Sequence, residues 1–234
     1  HVINHHAFTG DYKLDPDVIH LKPFICKNSN DSLEKYWKIS QKFPKLITLF
    51  TTCIFPGMFI GQGFLYNFIW LKNEYMWNMK LSSLYNIKSW QNYIKLFVIF
   101  SFLYGLSFWV FMLYAIGSNI TYFVCIMPDH DTLEIHNNSI NTESSVDWGE
   151  MQVRHSGNFA NQNSWVCDMF GGINYQIEHH LFPTICHVHF KEIKPIIETT
   201  CKEFNIPYSH HNTIFGAINS TLNQFSLITC KKDI

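Results

Sequence analysis

The sequence is poor in charged residues and has no cysteine spacing typical of a structural scaffold. Charged residues make up 15% of the 234 positions, against about a quarter in soluble domains. The 17 basic residues nearly balance the 18 acidic ones and are scattered, so no basic patch indicates nucleic-acid binding. The seven cysteines are widely spaced without a CxxC pair, which argues against a disulfide framework. No fixed-period repeat divides the chain, and we treat it as one domain.

Two long apolar runs account for the low charge. Residues 46–71 form 26 consecutive positions without a formal charge, and residues 96–128 form 33. An α-helix crosses a bilayer core in about 20 residues, and a buried helix of a soluble protein seldom gives two such runs in one short chain. We therefore predict transmembrane regions at about 46–71 and 96–127, in contact with membrane lipid.

The lysines predict the orientation of these two regions. Six lysines lie between residues 22 and 45, just before the first run: Lys22, Lys27, Lys35, Lys38, Lys42 and Lys45. Because positive charge accumulates on the cytosolic side, this flank is predicted to be cytosolic. Two spans return the chain to the side where it started. The predicted fold is an all-α integral membrane protein, with transmembrane helices and a cytosolic helical cap that carries histidines from both ends of the chain.

Histidine pairs stand near both ends of the chain, outside the apolar runs. The two clusters consist of His1, His5 and His6, and of Gln176, His179 and His180. Positions i and i+4 share one face of a helix, so each cluster presents several ligands to one side. Imidazole binds iron, zinc or copper, and a shell with few cysteines or carboxylates favours iron or zinc. The clusters predict a shared metal site, whereas an ordinary surface or buried role is preferred for His20, His210 and His211.

Several motifs occur in an order that extends over nearly the whole chain: HVINHHAFTG, LDPDV, DWGEMQV, SGNF, and GGINYQIEHHLFP followed by HVHF. In this order they resemble the membrane fatty-acid desaturases of the front-end, cytochrome b5-dependent, delta-6/delta-5-like type. The resemblance implies a multi-pass, non-haem diiron oxidoreductase of the endoplasmic reticulum membrane with cytosolic histidine clusters. Such an enzyme uses O2, with electrons from cytochrome b5 and its reductase, to insert a cis double bond into an unsaturated chain carried as acyl-CoA or acyl lipid.

The resemblance also implies which residues hold the two iron ions (Fe2+/Fe3+). The second histidine box is His1, His5 and His6, and the third is Gln176, His179 and His180, whose leading glutamine marks the front-end group. A further ligand is expected just after the last span, where His130 is preferred over His136. No catalytic residue beyond the metal ligands is implied.

Other residues are implied to bind substrate or to support the ligands. The implied substrate-binding residues are Asp147, Trp148, Gln152 and Asn158. The alternative is an interfacial amphipathic helix in which Trp148 anchors at the lipid headgroups. His187 and His189 are expected to hydrogen-bond ligand or backbone groups and so to orient the metal-binding rings.

Two local patterns predict the helices around the third box. Pro183 should end the helix that carries His179 and His180, because proline disfavours helical geometry in the residue before it. Residues 191–208 predict an amphipathic helix on the cytosolic cap. Its apolar positions are Ile193, Ile196, Ile197, Cys201 and Phe204.

The first histidine box and the cytochrome b5 domain expected from the resemblance would lie upstream of His1. We therefore expect residues 1–234 to be a partial desaturase domain, truncated at its N-terminus and inactive alone. A sphingolipid long-chain-base desaturase or a fatty-acid hydroxylase is the nearest alternative. An inactive remnant and a membrane metal-binding or transport protein also remain open. Transport is disfavoured because both apolar runs lack the acidic and histidine residues that an ion pathway usually needs.

Overall fold

The computed structural model describes residues 5–10, 15, 45, 75–76, 79–80, 104–105, 107–140 and 146–230. The chain divides into two compact units, one comprising His1–Thr48 and Tyr122–Ile234 and the other Leu49–Thr121. His1 and the transmembrane region predicted at about 46–71 lie outside the described residues, and the region at about 96–127 lies partly outside them.

The described residues of the Leu49–Thr121 unit form one small sheet and the beginning of a helix. Strands β1 (Tyr75–Met76) and β2 (Met79–Lys80) pair antiparallel. Helix α1 (Phe108–His130) begins in this unit. Among the residues that the structure describes, we find no helix with the length and apolar character needed to span a membrane.

The other unit holds the remaining elements. After the end of α1 come α2 (Leu133–Ile140), α3 (Trp148–Arg154), β3 (Gly157–Phe159), α4 (Ser164–Phe170), α5 (Gln176–Leu181), a 3-10 turn (His187–His189), α6 (Phe190–Glu203), β4 (Ser209–His211) and α7 (Ile214–Cys230). The described part of the chain is thus mostly helical, as predicted. The all-α prediction did not include the short strands, of which β3 and β4 pair in parallel. Strands of two or three residues are too short to give a recognisable alternation in the sequence.

Two apolar clusters position the elements around α5. In one, Val153 and Ile177 pack against Ile197 and Cys201, which joins α3, α5 and α6. In the other, Phe159 of β3 packs with Ala160, Val166 and Ala217. Because β3 and α5 each place a side chain in one of these clusters, the segment that carries the third histidine box is fixed to a buried core.

The two local helix predictions are largely correct. Helix α5 ends at Leu181, and Phe182 before Pro183 has a φ of −133°, outside helical geometry. Helix α6 ends at Glu203, earlier than the predicted Tyr208. Its buried face includes Ile197 and Cys201, but Ile196 is exposed.

Two glycines make the turn between α4 and α5. Gly171 (φ 61°) and Gly172 (φ 78°) both adopt left-handed geometry, which favours glycine. The Gly172 N–H donates to the Cys167 carbonyl at 2.9 Å and the Gly171 N–H to the Asp168 carbonyl at 3.3 Å, a Schellman arrangement that ends α4. A Cβ at Gly172 would lie 2.4 Å from the Cβ of His187, whereas a Cβ at Gly171 would meet nothing within 4 Å.

We expect Gly172→Ala to destabilise the protein more than Gly171→Ala. Both substitutions carry the left-handed backbone cost of about 1–2 kcal/mol, and only Gly172→Ala adds a steric overlap of about 1–3 kcal/mol. Chemical denaturation of the two variants measures the difference in the free energy of unfolding. Equal losses would contradict the close approach of His187 to this turn.

Candidate metal centre

Three histidines from distant parts of the chain converge on one point. They are His5 in the turn 5–10, His130 at the end of α1 and His180 in α5. One ring nitrogen of each lies within 4.8 Å of the corresponding nitrogen of the other two. The rings of His5 and His180 are fully buried, at 1% and 0% exposure. Three imidazoles in this arrangement could bind a metal ion.

Each of the three rings points its Nδ1 at an oxygen atom. His5 Nδ1 lies 2.9 Å from Asp15 Oδ1, and His130 Nδ1 lies 2.7 Å from the carbonyl oxygen of His155. His180 Nδ1 lies 2.8 Å from Gln152 Oε1. Because a carbonyl, a carboxylate and an amide oxygen accept hydrogen bonds, each Nδ1 carries the proton and donates it. The lone pair of each ring is therefore on Nε2.

Two of the Nε2 atoms are spaced as ligands of one metal ion would be. His5 Nε2 and His130 Nε2 are 3.2 Å apart. Two nitrogens bound to one ion at the roughly 2.1 Å typical of imidazole lie about 3.0–3.4 Å apart, depending on the bond angle. Two lone pairs at such a distance repel each other unless a cation lies between them. The donor set therefore fits a metal cation.

Gln176 completes the group from the first turn of α5. Its Nε2 lies 2.8 Å from His130 Nε2 and 3.1 Å from His180 Nε2, so the amide donates to both lone pairs. Its Oε1 is buried and has no hydrogen-bond partner among the described residues. A half-turn of the amide exchanges its nitrogen and oxygen with little change in shape. The same side chain can thus offer the site an oxygen donor.

His6 and His179 stand beside this group. The His6 ring stacks on that of His180, with centroids 4.3 Å apart, and lies 4.9 Å from that of His179. The described residues therefore provide one three-histidine group and an adjacent pair. Of the predicted ligands, only His1 lies outside them.

The turn that carries His5 and His6 is held by side chains from α3. The His6 carbonyl accepts hydrogen bonds from Trp148 Nε1 at 3.2 Å and from Gln152 Nε2 at 3.0 Å. The second contact orients the Gln152 amide, so that its Oε1 faces His180. Within the turn, Thr9 Oγ1 donates to the His5 carbonyl at 2.7 Å. Trp148 and Gln152, predicted to bind substrate, thus contact the turn that carries His5 and His6.

Asp15 has a role that the sequence did not indicate. Its side chain is 1% exposed, and its two oxygens accept from His5 Nδ1 and from the Gly10 N–H at 2.7 Å. Asp15 belongs to LDPDV, a motif that supported the resemblance without suggesting a function for this residue. A carboxylate ten residues from a histidine has no spacing that marks it as a partner.

Burial keeps the His180 ring neutral. The pKa of His180 lies well below its ordinary value, mainly because the ring is removed from water. The nearby rings of His130, His5, His6 and His179 lower it further. At pH 7 this imidazole is unprotonated at Nε2 and ready to bind a cation.

The remaining predicted site residues lie apart from the three rings. Asp147 is the N-cap of α3 and accepts from the Gly149 and Glu150 N–H groups. His187 and His189 are exposed on the 3-10 turn, where His189 Nδ1 lies 3.6 Å from Glu192. The hydrogen bonds expected from these two histidines are instead made by Asp15, Gln152 and the His155 carbonyl.

Asn158 lies in a buried polar group behind α5. Its Nδ2 donates to Glu178 Oε2 at 2.7 Å and to the Tyr208 hydroxyl at 2.6 Å. Burial raises the pKa of Glu178, and the hydrogen bonds from Tyr208 and Asn158 oppose that rise. Asn158 therefore contacts residues that hold α5.

A groove of about 640 Å³ runs between α3, the end of α5 and α6. Its volume falls in the range of about 300–1,000 Å³ usual for small-molecule sites. The lining is mainly apolar and includes Leu181, Phe182, Ile193, Ile196, Ile197 and Phe204. Asp147 also lines it. We call this feature the apolar groove.

We expect Asp15→Asn to weaken metal binding by about 10- to 100-fold, the range for loss of a residue that orients a ligand. The His5 ring and the Gly10 backbone both donate an N–H to Asp15, so the amide NH2 of an asparagine must face one of these two donors. If it faces His5, it favours the tautomer with the proton on Nε2, which removes the ligand lone pair. Competition with a coloured chelator for Co2+ measures the affinity.

The matched control is Asp168→Asn, the same change at an exposed position of α4. It should bind Co2+ as the unsubstituted chain does. Unchanged affinity in Asp15→Asn would contradict the role of the Asp15 carboxylate in orienting His5.

Comparison with known proteins gives the family. A family model described as fatty acid desaturase matches residues 1–212. An acyl-lipid (8-3)-desaturase of Physcomitrium patens is 26% identical over 241 residues, covering 94% of this chain and 47% of that protein. An sn-1 linoleoyl-lipid 6-desaturase of Arthrospira platensis is 44% identical over 72 residues, 31% of this chain and 20% of that protein.

The chain spans about half the length of the Physcomitrium relative and a smaller share of the Arthrospira one. No solved structure matches the chain significantly. The family model covers most of the sequence, including both histidine clusters. The chain belongs to the fatty acid desaturase family.

Proposed function

We propose that this chain is part of a membrane-bound, O2-dependent, non-haem diiron acyl desaturase of the front-end type. It inserts a cis double bond into an unsaturated acyl chain, with electrons from cytochrome b5 and its reductase. The relatives named as acyl-lipid desaturases support an acyl lipid as the substrate. The multi-pass topology, the endoplasmic reticulum location and the cytosolic orientation rest on the family resemblance and on the apolar and lysine-rich segments of the sequence.

The observation that carries this proposal is the convergence of three Nε2 lone pairs in a buried pocket. The rings of His5, His130 and His180 are each held by a hydrogen bond at Nδ1, which leaves Nε2 for a metal ion. Neutral nitrogen donors with an amide oxygen nearby, and without thiolate, suit iron. Bound iron would supply the activation of dioxygen that removal of hydrogen from an unactivated acyl chain requires.

The protein's own residues orient the donors and exclude water. Gln152 and the His155 carbonyl keep the His180 and His130 rings in one tautomer, and Asp15 does the same for His5. Because His5 and His180 are buried, little water can compete for their lone pairs. These residues act before any chemistry, by holding the donors in place.

His6 and His179 are the proposed donors for a second iron ion, together with His1. The ring centroids of His6 and His179 lie 4.9 Å apart, beside the three-histidine group. The predicted second and third histidine boxes would then each contribute to both ions.

The apolar groove is the proposed binding site for part of the acyl chain. Leu181 and Phe182 line it and directly follow His180 in the sequence, so the groove begins next to the metal-binding helix. An apolar lining of this size suits a hydrocarbon chain. Asp147, predicted to bind substrate, lines the same groove.

Fatty-acid analysis tests the proposed activity. Yeast that express the protein containing this chain are fed linoleic and longer polyunsaturated acids, and their lipids are analysed by gas chromatography and mass spectrometry. We expect a new double bond on the carboxyl side of an existing one. His180→Ala should remove the product, because it deletes a donor of the three-histidine group.

The matched control is His189→Ala, the same change at a ring that is 58% exposed and faces Glu192. It should keep nearly all of the product. Hydroxylated acids or altered sphingoid bases in place of the new double bond would identify the alternative activities. A well-expressed protein with no His180-dependent product from any of these substrates would contradict the proposal.

A further inference from the structure

The third histidine box contains an acidic residue that is not one of its metal ligands. Glu178 stands between Gln176 and His179 in the sequence and is 0% exposed. Its carboxylate is bound by two side chains from outside α5, Asn158 of β3 and Tyr208 before β4. We call these three residues the α5 clamp.

The hydrogen bonds of the α5 clamp form a closed ring. Tyr208 donates its hydroxyl proton to Glu178 Oε1 at 2.8 Å. Asn158 Nδ2 donates one hydrogen to Glu178 Oε2 at 2.7 Å and the other to the Tyr208 oxygen at 2.6 Å. Asn158 Oδ1 accepts from the Ile177 N–H at 3.0 Å. Every polar group of Asn158 is therefore engaged within the protein, which disfavours its predicted contact with substrate.

Helix α5 depends on such external contacts because it is short. It has six residues, whereas an isolated helix needs about 12–15 residues even to be marginally stable in water. Its N-cap residue, Tyr175, makes no side-chain capping hydrogen bond. Asn158, which lies in β3, serves as the cap instead, because its Oδ1 accepts from the Ile177 N–H in the first turn of α5. Strand β3 thus supplies the N-terminal capping group that the local sequence of α5 lacks.

The clamp lies on the side of α5 opposite the metal-facing side chains. At about 100° per residue, Gln176 and His180 share one face, and Glu178 points roughly 180° away from the middle of that face. A fixed point on the far side sets the rotation of the helix about its axis. That rotation decides whether the Nε2 atom of His180 meets those of His5 and His130.

We propose that Glu178, Asn158 and Tyr208 are positioning residues that set the metal affinity of the three-histidine group by fixing the rotation of α5. This inference rests on the proposed function, because it requires the group to bind a metal. The side-chain hydrogen bonds of these residues join them to one another and to the Ile177 N–H, and none of the three lines the apolar groove. Their effect on the site passes through the helix.

The test compares two Tyr→Phe variants of the full chain. Tyr208→Phe removes the hydroxyl of the α5 clamp and keeps the ring. Tyr175→Phe is the matched control, since its buried hydroxyl donates to the Asn161 carbonyl at 3.0 Å and is no part of the clamp. The measurements are Co2+ affinity by chelator competition, the visible spectrum of the bound Co2+, and the melting temperature without metal.

We expect Tyr208→Phe to lose about tenfold or more in Co2+ affinity, with a changed spectrum, as for other residues that orient ligands. The Co2+ affinity of Tyr175→Phe should stay within about twofold of that of the unsubstituted chain, even if its melting temperature falls as far as that of Tyr208→Phe. Glu178→Gln, which keeps an acceptor for Asn158, should lose less affinity than Glu178→Ala.

Two results would overturn the inference. One is a Tyr208→Phe variant with the affinity and spectrum of the unsubstituted chain. The other is an equal loss of affinity in both Tyr→Phe variants, which would mean that general destabilisation explains the effect. If the unsubstituted chain itself bound no Co2+ and no iron, the proposed function would fail and the α5 clamp inference with it.

Discussion

The candidate site depends on the hydrogen bond that each of three imidazoles makes through Nδ1. Asp15, the His155 carbonyl and Gln152 each accept from one ring, and these hydrogen bonds are 2.7–2.9 Å long. A histidine offers a metal only one lone pair, and the proton on the opposite nitrogen decides which one. If any acceptor were replaced by a donor, the corresponding ring could present an N–H to the centre. The convergence of the rings is thus useful only because their tautomers are fixed.

Burial of the cluster has an energetic consequence. His180 resists protonation because it is buried and has other imidazoles beside it, so its pKa lies well below its ordinary value. Below the ordinary histidine pKa the unfolded chain takes up protons that the folded pocket resists, so acid weakens folding through this group. A metal ion bound to the same lone pairs would oppose that loss, because it occupies the positions that protons would take.

Much of this site could be predicted from the sequence. The contacts that could not be predicted have a common cause. The i, i+4 spacing of Gln176 and His180 correctly indicated one shared helix face, and the position of Pro183 correctly indicated where that helix ends. Asp15, which bonds His5, and Tyr208, which bonds Glu178, stand at no spacing that marks them as partners of these residues. Tyr208 meets Glu178 across 30 residues of sequence, and nothing in a single chain marks a hydrogen bond at that separation. Periodicity reveals which residues share an element, while contacts between elements follow from how those elements pack.

The short length of α5 explains why so many supporting contacts gather around it. A six-residue helix cannot hold its own orientation, yet it must present side chains to the metal face with little angular error. The chain meets this requirement from three directions: Ile177 in the apolar cluster, Asn158 at the first turn, and Tyr208 on Glu178. Each contact restricts a different motion, namely the depth of the helix, its starting point and its rotation. Glu178, which lies between the proposed ligands in the sequence, then matters to the candidate metal site as a point of attachment, although its side chain faces away from that site.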